Sequence, residues 1–270
     1  MEIREYMRAV DDLSKLLTKA GLEILKIRKN WPELNMNIKQ KEGAWDVVSA
    51  ADHFVESKTV DFLQQHFPDD GINSEEGTFI DSASGFTWII DPIDGTTNYL
   101  SGMDLFSISL GCVQGDLPVF GIIHYPVLGK TIYAIKSCGA FLNGKSLPQK
   151  QINKDLSDCL IVGEIEYKKE CIFSRIRPFC RNMLIAGSFT GAALWLVENK
   201  IAGLFHTGAS RYDIAAASII AEEAGNVVSG IFEDRLDFSS KHIPIIMACN
   251  DNIHQALKGL LKKDESPHSL

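Results

Sequence analysis

Residues 88–98 read WIIDPIDGTTN, and this stretch carries most of the information about the fold. An apolar strand leads directly into Asp91, and we expect Pro92 to end that strand because proline has no N–H for a strand ladder. Asp94 comes next in the motif, and Gly95 and two threonines then provide a flexible turn with hydroxyl groups. The stretch therefore predicts a buried strand that ends in an acidic, polar turn.

The two aspartates of this stretch are spaced so that each can hold a magnesium ion, and one of them can bridge two ions. If a helix begins after Gly95, its free backbone N–H groups point at the same place and favour a bound anion such as a phosphate group. The alternative is that both aspartates belong to ordinary turns, since turns use Asp, Pro and Gly. The stretch alone leaves both interpretations open.

Two more acidic segments stand far from this stretch in the sequence. Residues 74–77 read SEEG, and Glu75 in this turn is either a candidate ligand or a solvated loop residue. Residues 211–217 read RYDIAAA, which places Asp213 at the start of a very apolar helix. An N-terminal cap is the simplest role for Asp213 there, and it is compatible with metal ligation.

Hydrophobic periodicity predicts a mixture of helices and strands. The predicted helices cover residues 1–30, 52–67, 190–198, 212–224 and 252–262. The predicted strands cover residues 88–90, 106–113, 119–125, 131–135, 160–162, 227–228 and 245–248. Asn143-Gly144 predicts a tight turn, and Pro244 is expected at the entry to the last strand. The mixture indicates layered sheets and helices in an α+β or α/β arrangement.

The composition restricts the class of protein. The chain has 270 residues, 45% of them hydrophobic, which is enough for a sizeable core in one domain or in two closely joined lobes. A formal net charge of -8 argues against a nucleic-acid partner or a membrane surface, since both favour excess Lys and Arg. No secretory signal is visible, and no apolar run approaches the ~20 residues that span a bilayer. The six cysteines lack metal-like spacing, so we expect a cytoplasmic protein with reduced thiols.

Four separated segments together resemble the inositol monophosphatase family, over a span from about Lys41 to Asn250. They are Glu75-Glu76 after FPDDG, the stretch at residues 88–98, the segment GAFLNGK at residues 139–145, and Tyr212-Asp213-Ile214-Ala215-Ala216 followed by Glu223-Ala224-Gly225. The order and spacing of these segments make chance agreement implausible.

The resemblance implies an α+β fold, a layered α-β-α-β-α sandwich of the inositol monophosphatase/fructose bisphosphatase type. It implies a single catalytic unit over residues 1–270, with approximate lobes at 1–150 and 151–270. It also implies a homodimer that hydrolyses a small phosphorylated alcohol or sugar with magnesium and is inhibited by lithium.

The metal ligands are implied residue by residue. Glu75 would hold a first magnesium ion together with Asp91 and the backbone carbonyl of Ile93. A second ion would be held by Asp91, Asp94 and Asp213. A third, weaker ion would depend on Glu75 and water, so the resemblance implies two to three Mg2+ ions. Four converging carboxylates repel one another strongly unless divalent cations neutralise them.

The catalytic residues implied by the resemblance are Asp52, Thr96 and Glu75. Asp52 and Thr96 correspond to a water-activating pair, in which the aspartate accepts the threonine hydroxyl proton and the hydroxyl orients a water for in-line attack on phosphorus. The backbone N–H groups of Gly95, Thr96 and Thr97 would bind the phosphate. The alternative for Asp52 is a helix cap, since it follows Ser49 closely.

The chain departs from the family pattern where the substrate alcohol would lie. His206 stands where members that act on inositol phosphate carry a glutamate that contacts substrate hydroxyls, and Tyr212 replaces a usual tryptophan after Arg211. Residues 187–190 read GSFT where Gly-Ser/Thr-Ala-Ala is common. His206 could also be a core or rim histidine. Lys41, which matches a lysine near the metal site, could also be an exposed loop residue.

These departures leave the substrate open among an inositol phosphate, fructose 1,6-bisphosphate, histidinol phosphate and an adenosine 3',5'-bisphosphate. A histidine ring can donate where a carboxylate only accepts, so His206, with Arg211 nearby, predicts that a bisphosphate or a differently substituted ester is a better substrate than inositol 1-phosphate. A catalytically silent interaction module is the alternative from another class. A missing ligand or a missing Thr96 would favour it, and neither is missing.

Overall fold

The computed structural model describes residues 3–29, 39–40, 47–48, 50–148, 154–164 and 171–262. Lys41 lies outside the described residues. The helices are α1 (Ile3–Lys29), α2 (Ala50–His66), α3 (Thr96–Leu100), α4 (Cys171–Ile176), α5 (Phe189–Val197), α6 (Arg211–Glu223) and α7 (Asp251–Leu261). Within this part of the chain, none of them combines the length and the apolarity needed to cross a bilayer.

The strands form two large sheets and one short hairpin-like pair. The pair is β1 (Lys39–Gln40) with β2 (Val47–Val48). The first large sheet contains β3 (Gly71–Ser74), β4 (Phe79–Ile80), β5 (Phe86–Asp94), β6 (Ser107–Gln114), β7 (Leu117–Tyr125), β8 (Lys130–Ile135), β9 (Gly139–Leu142) and β10 (Lys145–Ser146). Its strand order is β10-β9-β8-β7-β6-β5-β3-β4, and within it only β3 and β5 run parallel.

The second large sheet contains β11 (Leu160–Glu164), β12 (Asn182–Leu184), β13 (Gly203–Ser210), β14 (Val227–Gly230) and β15 (His242–Ala248). Its order is β12-β11-β13-β15-β14. The first three of these strands run parallel, and β15 is antiparallel to both of its neighbours.

The elements stack in five layers. α1 and α2 pack on the eight-stranded sheet, α5 and α6 contact strands of both large sheets, and α7, with α4 against it, packs on the five-stranded sheet. The buried apolar residues form two clusters, one under α1 and α2 and one around α5, α6 and the five-stranded sheet. The predicted α+β fold and its α-β-α-β-α layering are therefore confirmed.

The helical periodicity at the N-terminus is confirmed in α1. Val10, Leu13, Leu17 and Ile24 are buried, at the spacing that places them on one helix face. The helices predicted at residues 190–198, 212–224 and 252–262 each begin and end one residue earlier in the structure. The Asn143-Gly144 turn is also confirmed, since both residues have positive φ between β9 and β10.

The prediction that Pro92 ends its strand is wrong. β5 continues to Asp94, and its register with β6 shifts between the pairs Asp91–Ser109 and Asp94–Ser107. The extra residue on β5 forms a bulge, in which Pro92 needs no ladder partner for its missing N–H. Beyond the bulge Asp94 still pairs with Ser107, so the acidic end of the strand stays in the sheet with a shifted register.

The placement of Pro244 at a strand entry is also wrong, because β15 begins two residues earlier, at His242. The neighbouring strand β13 is bulged at this point, where its register shifts between His206 and Ala209. A proline is tolerated inside β15 because the irregular partner strand does not require its N–H.

Two glycines allow α6 to approach the eight-stranded sheet very closely. Gly111 on β6 lies opposite Gly121 on β7. A Cβ at Gly111 would lie 2.6 Å from the Cβ of Ala215, and one at Gly121 would lie 2.8 Å from the Cα of Ala216. Nonbonded carbon atoms do not pack at such distances, so the contact requires glycine. The helix that carries Asp213 is thereby held against the sheet.

Candidate active site

A cavity of about 320 Å³ opens where the bulged end of β5 meets the start of α6. Its walls come from the turn after β3, the end of β5, the start of α3, the loop before α5, and β13 with the start of β15. The residues lining it are Glu75, Asp91, Ile93, Asp94, Gly95, Thr96, Thr97, Gly187, His206, Gly208, Ser210, Asp213 and His242. No lysine or arginine of the described chain is among them, so the cavity is strongly acidic.

Three of the predicted metal ligands meet in this cavity. Asp91, Asp94 and Asp213 each offer a carboxylate oxygen, and these oxygens lie within 4.8 Å of one another. Two of these residues come from β5 and the third from α6, more than a hundred positions further along the chain. The structure therefore brings together carboxylates that the sequence separates.

Asp91 is the least compensated of the three carboxylates. Its side chain is 1% exposed, and neither carboxylate oxygen has a hydrogen-bond partner in the described structure. Burial, followed by the charges of Glu75, Asp213, Asp94 and Asp52, raises the pKa of Asp91 well above its usual value. Two orphaned buried oxygens beside two other carboxylates are suited to hard divalent cations, which prefer oxygen ligands.

Asp94 is held in place by the start of α5. Its carboxylate accepts hydrogen bonds from the Ser188 hydroxyl, from the Thr190 hydroxyl and backbone N–H, and from the backbone N–H of Phe189. Burial raises the pKa of Asp94, and the bonds from Ser188 and Thr190 oppose that rise. The family-like motif alone does not reveal these donors, which lie almost a hundred residues away.

Asp213 lies in the first turn of α6, but it is not the N-terminal cap. That role belongs to Ser210, whose side-chain oxygen accepts from the backbone N–H of Tyr212. Asp213 is half-buried and its pKa is raised, chiefly by burial and then by the charges of Asp94 and Glu75. The carboxylate is therefore directed to the cavity, and the helix end is satisfied by another residue.

Glu75 and Ile93 line the same cavity. Glu75 is half-buried in the turn after β3, and its backbone N–H donates to the carbonyl of Ile90 at 3.0 Å, which extends the pairing of β3 with β5. The carbonyl of Ile93 lies 2.9 Å from the Thr96 hydroxyl. A carbonyl oxygen has a second lone pair, so this contact does not exclude metal binding by Ile93.

The start of α3 closes the side of the cavity next to the loop before α5. Gly95 adopts a left-handed conformation, with φ 83°, and a Cβ there would lie 2.9 Å from the Cβ of Ser188. Asn98 donates from one amide nitrogen to the carbonyls of Leu105 and Ala186, at 2.8 and 2.9 Å. Asn98 thus ties the segment with Thr96 to the loop that precedes α5.

Asp52 and His206 occupy different surroundings. Asp52 is buried in the first turn of α2 and is not on the cavity wall, although its charge contributes to the raised pKa of Asp91. His206 is on the wall, half-buried, and its Nδ1 accepts from the backbone N–H of Gly208 at 3.0 Å. Burial, and then the charge of His242, lowers the pKa of His206 to about 4. His206 is therefore neutral at neutral pH, with its proton on Nε2.

The positions of Arg211 and His242 relative to the cavity differ from the sequence expectations. Arg211 is not on the cavity wall, since its guanidinium donates to the carbonyl of Ser239 at 3.2 Å. His242, which lines the cavity, was not recognised as a candidate from the sequence. It reaches the site because β15 pairs with β13, where His242 lies opposite Ser210. The pairing of distant strands carries no local sequence signal.

Comparisons with known proteins show the family of the chain. Residues 7–264 match the profile of the Inositol monophosphatase family. The chain is 34% identical over 239 residues to the fructose-1,6-bisphosphatase/inositol-1-monophosphatase of Thermotoga maritima, covering 87% of this chain and 87% of that protein.

Solved structures have the same fold. An IMPase from Thermotoga maritima superposes with a TM-score of 0.82 at 30% identity and covers 95% of this chain and 97% of its own. An IMPase/NADP phosphatase complexed with Mg2+ and phosphate superposes with a TM-score of 0.80 at 20% identity, over 98% of each chain. At that identity the second likeness concerns the fold alone.

Proposed function

We propose that this chain, which belongs to the inositol monophosphatase family, uses the carboxylate cavity to hydrolyse a small phosphorylated alcohol or sugar. As a family member it is a magnesium-dependent phosphatase of phosphate monoesters. The observation that carries the assignment to this cavity is Asp91, whose two buried oxygens lack protein donors while they face the cluster with Asp94 and Asp213.

We propose that this donor set would hold two to three Mg2+ ions. Glu75, Asp91 and the carbonyl of Ile93 would hold one ion, Asp91, Asp94 and Asp213 a second, and Glu75 with water a weaker third. Bound magnesium would neutralise the carboxylates and the phosphate and would lower the pKa of a water molecule. Without cations the cavity would repel an anionic substrate, since no lysine or arginine of the described residues lines it.

The remaining work falls to residues of the chain itself. The backbone N–H groups of Gly95, Thr96 and Thr97 would bind the phosphate oxygens at the start of α3. The Thr96 hydroxyl, paired with Asp52, would orient the attacking water in line with the leaving alcohol, and Glu75 would help to place that water. The Thr96 hydroxyl donates to the carbonyl of Ile93 in this structure and would turn to donate to Asp52 in the reacting complex. No strongly basic side chain would be needed, because bound magnesium would lower the pKa of the water.

We propose that the substrate is not restricted to inositol 1-phosphate and that a bisphosphate such as fructose 1,6-bisphosphate is turned over faster. His206 offers an Nε2–H donor on the wall, with His242 beside it, where a carboxylate would only accept. The Thermotoga relative carries both activities in its name. Arg211 does not support this specificity, because its side chain is bonded to Ser239.

Phosphate release from a panel of phosphate esters, with magnesium and with excess chelator, tests the reaction. Asp94→Asn should abolish it, because an amide is a poorer magnesium ligand than a carboxylate. Comparing kcat/KM for inositol 1-phosphate and fructose 1,6-bisphosphate, in the wild type and in His206→Glu, tests the specificity. A wild type that prefers inositol phosphate, with a preference unchanged by the substitution, would refute the role of His206.

Lithium sensitivity, assembly and location complete the proposal. We propose that lithium inhibits the enzyme in a magnesium-dependent way. We also propose that the chain assembles into a cytoplasmic homodimer, in which the two lobes at 1–150 and 151–270 act as a single catalytic unit. Neither nucleic acid nor a membrane is expected as a partner. Inhibition assays at tens-of-millimolar lithium and sedimentation analysis test the first two points. A catalytically silent interaction module, the alternative, would release no phosphate from any ester of the panel.

A further inference from the structure

The two oxygens of the Asp94 carboxylate are bonded unequally. Oδ2 accepts from the Ser188 hydroxyl, from the Thr190 hydroxyl, and from the Thr190 backbone N–H at 2.9 Å. Oδ1 accepts, among the described contacts, from the backbone N–H of Phe189 at 3.2 Å. Three donors saturate Oδ2, so Oδ1 is the oxygen with lone pairs to spare.

The hydrogen-bond directions around Thr190 follow from counting protons. An ionised carboxylate only accepts, so the single hydroxyl proton of Thr190 goes to Asp94. The hydroxyl oxygens of Ser107 and Thr190 are also bonded to each other, and Ser107 must then be the donor. The result is a directed chain from Ser107 through Thr190 to Asp94, and all three side chains are buried.

The backbone of Thr190 is fixed as well. The Tyr125 hydroxyl donates to the carbonyl of Thr190 at 2.7 Å, and Tyr125 is buried on β7. Ser107 lies directly opposite Asp94 in the pairing of β5 with β6. Ser107 and Asp94, the first and last members of this hydrogen-bonded series, therefore belong to the eight-stranded sheet, while Thr190 belongs to α5. Thr190 has little freedom to turn its hydroxyl elsewhere.

We propose that Thr190, oriented by Ser107, is a positioning residue that commits Oδ2 of Asp94 to the protein and leaves Oδ1 for magnesium. It sets the affinity of the ion that Asp94 helps to hold, through Asp94 and without touching the ion. The inference rests on the metal-dependent function proposed above. Thr190 stands at the position where the family run commonly has alanine, so its hydroxyl is a feature of this chain's own sequence.

Thr190→Val removes the hydroxyl and keeps the shape of the side chain. We expect it to weaken Mg2+ binding by about 10- to 100-fold, the usual consequence of losing a partner that orients a ligand. Calorimetric titration of the metal-free, full-length protein with MgCl2 measures this directly. The magnesium concentration for half-maximal activity should rise by a similar factor, and saturating magnesium should restore kcat.

Two controls separate positioning from a general loss of packing. Thr190→Ser keeps the donor and should keep the wild-type magnesium affinity. Thr59→Val removes another buried threonine hydroxyl, which donates to the carbonyls of Val55 and Glu56 in α2, away from the cavity. It should lower stability and leave magnesium binding unchanged.

Ser107→Ala tests the chain independently and keeps the proposal testable if Thr190→Val folds poorly. Ser107 acts only through Thr190, so we expect a smaller loss of magnesium affinity from Ser107→Ala. The double variant should bind magnesium no more weakly than Thr190→Val alone. Additive losses would show that Ser107 acts by another route and would overturn the directed chain.

The outcomes distinguish this inference from the proposed function. If the wild type binds no magnesium, the proposed function fails. If the wild type binds magnesium and both Thr190→Val and Ser107→Ala bind it equally well, the positioning role alone is overturned. A loss in Thr190→Val that is matched by Thr59→Val would likewise overturn it.

Discussion

Two buried aspartates lie at opposite ends of the parallel pair β3 and β5, and their surroundings differ completely. Asp70, just before β3, is 5% exposed, and its two oxygens accept from the Ser84 hydroxyl at 2.6 Å and the Trp88 indole N–H at 2.9 Å. Asp91, at the other end of the pair, is 1% exposed and has no donor in the described structure.

The difference shows that burial of a carboxylate does not by itself mark a functional site. Burial raises the pKa of both residues, but the hydrogen bonds from Ser84 and Trp88 lower that of Asp70, while neighbouring negative charges raise that of Asp91 further. The described residues supply hydrogen-bond donors to Asp70 and none to Asp91, which fits the proposal that cations bind at Asp91. The carboxylate cluster lies at the carboxyl end of the parallel strands, which is where ligands bind in other folds with parallel strands.

Asp91→Asn should have the largest effect. We expect kcat/KM to fall by about a thousandfold or more, since the metals supply several kcal/mol of transition-state stabilisation. In chelator at about pH 8, the same variant should be no less stable than the wild type, because it removes one of several mutually repelling charges. Assays with saturating magnesium and urea unfolding measure the two effects. Wild-type activity in this variant would contradict the assignment of Asp91.

Magnesium itself should stabilise the fold, by about 2.7 kcal/mol at a hundred times the dissociation constant. The folded-state pKa values of Asp91, Asp94 and Asp213 are raised, so their contribution to stability is present at low pH and is lost as pH rises through those values. We therefore expect the magnesium-dependent rise in Tm to be larger near pH 8 than near pH 5, where protons compete with the cation. An equal rise at both pH values would contradict this linkage.

Asp70→Asn should reverse the pattern seen at Asp91. An asparagine amide has one acceptor oxygen, so it cannot accept the hydrogen bonds of both Ser84 and Trp88 as the carboxylate does. We therefore expect the free energy of unfolding to fall by about 1.5–3 kcal/mol, as for other hydrogen bonds to charged groups. Activity and magnesium affinity of the folded enzyme should stay close to wild type, because Asp70 is remote from the cavity lining. Urea unfolding and magnesium titration measure these two effects. A large loss of magnesium affinity would contradict the expectation and would mean that Asp70 is coupled to the cavity at the other end of the β3–β5 pair.

His124 extends the comparison to a buried base, with the smallest expected effect. It is bonded to the Thr131 hydroxyl at 2.9 Å, and burial lowers its pKa to about 4. The unfolded chain takes up a proton near pH 6.5 before the folded protein does, so stability falls as pH falls through this window. His124→Gln should remove about 1 kcal/mol of that loss between about pH 6.5 and 5.5. Identical pH profiles for the two proteins would refute this origin.

The sequence predicted what is local. The acidic turn of WIIDPIDGTTN, the amphipathic α1 and the Asn143-Gly144 turn are each encoded by residues that are neighbours along the chain. The predicted strand bounds at Pro92 and Pro244 were wrong, because both prolines are tolerated where the strand or its partner is bulged. A rule for regular ladders does not foresee an irregular one.

The sequence could not predict which distant residues contact each candidate ligand. The donors to Asp94 come from Ser188, Phe189 and Thr190, and His242 reaches the cavity by strand pairing. β13, the strand of Gly203–Ser210, was not predicted, since its small residues and glycines give no strong strand signal and its place is decided by its two neighbours. Such relations become visible only when distant segments are assembled.

The glycine pair Gly111 and Gly121 has a consequence for the dimensions of the carboxylate cluster. Asp91 and Asp94 belong to the eight-stranded sheet, whereas Asp213 belongs to α6. The distance of α6 from that sheet is fixed by the absence of two Cβ atoms. A methyl group at Gly111 would act as a wedge under α6 and move one wall of the cavity relative to the other. The spacing of the three clustered carboxylates thus depends in part on two glycines that do not line the cavity.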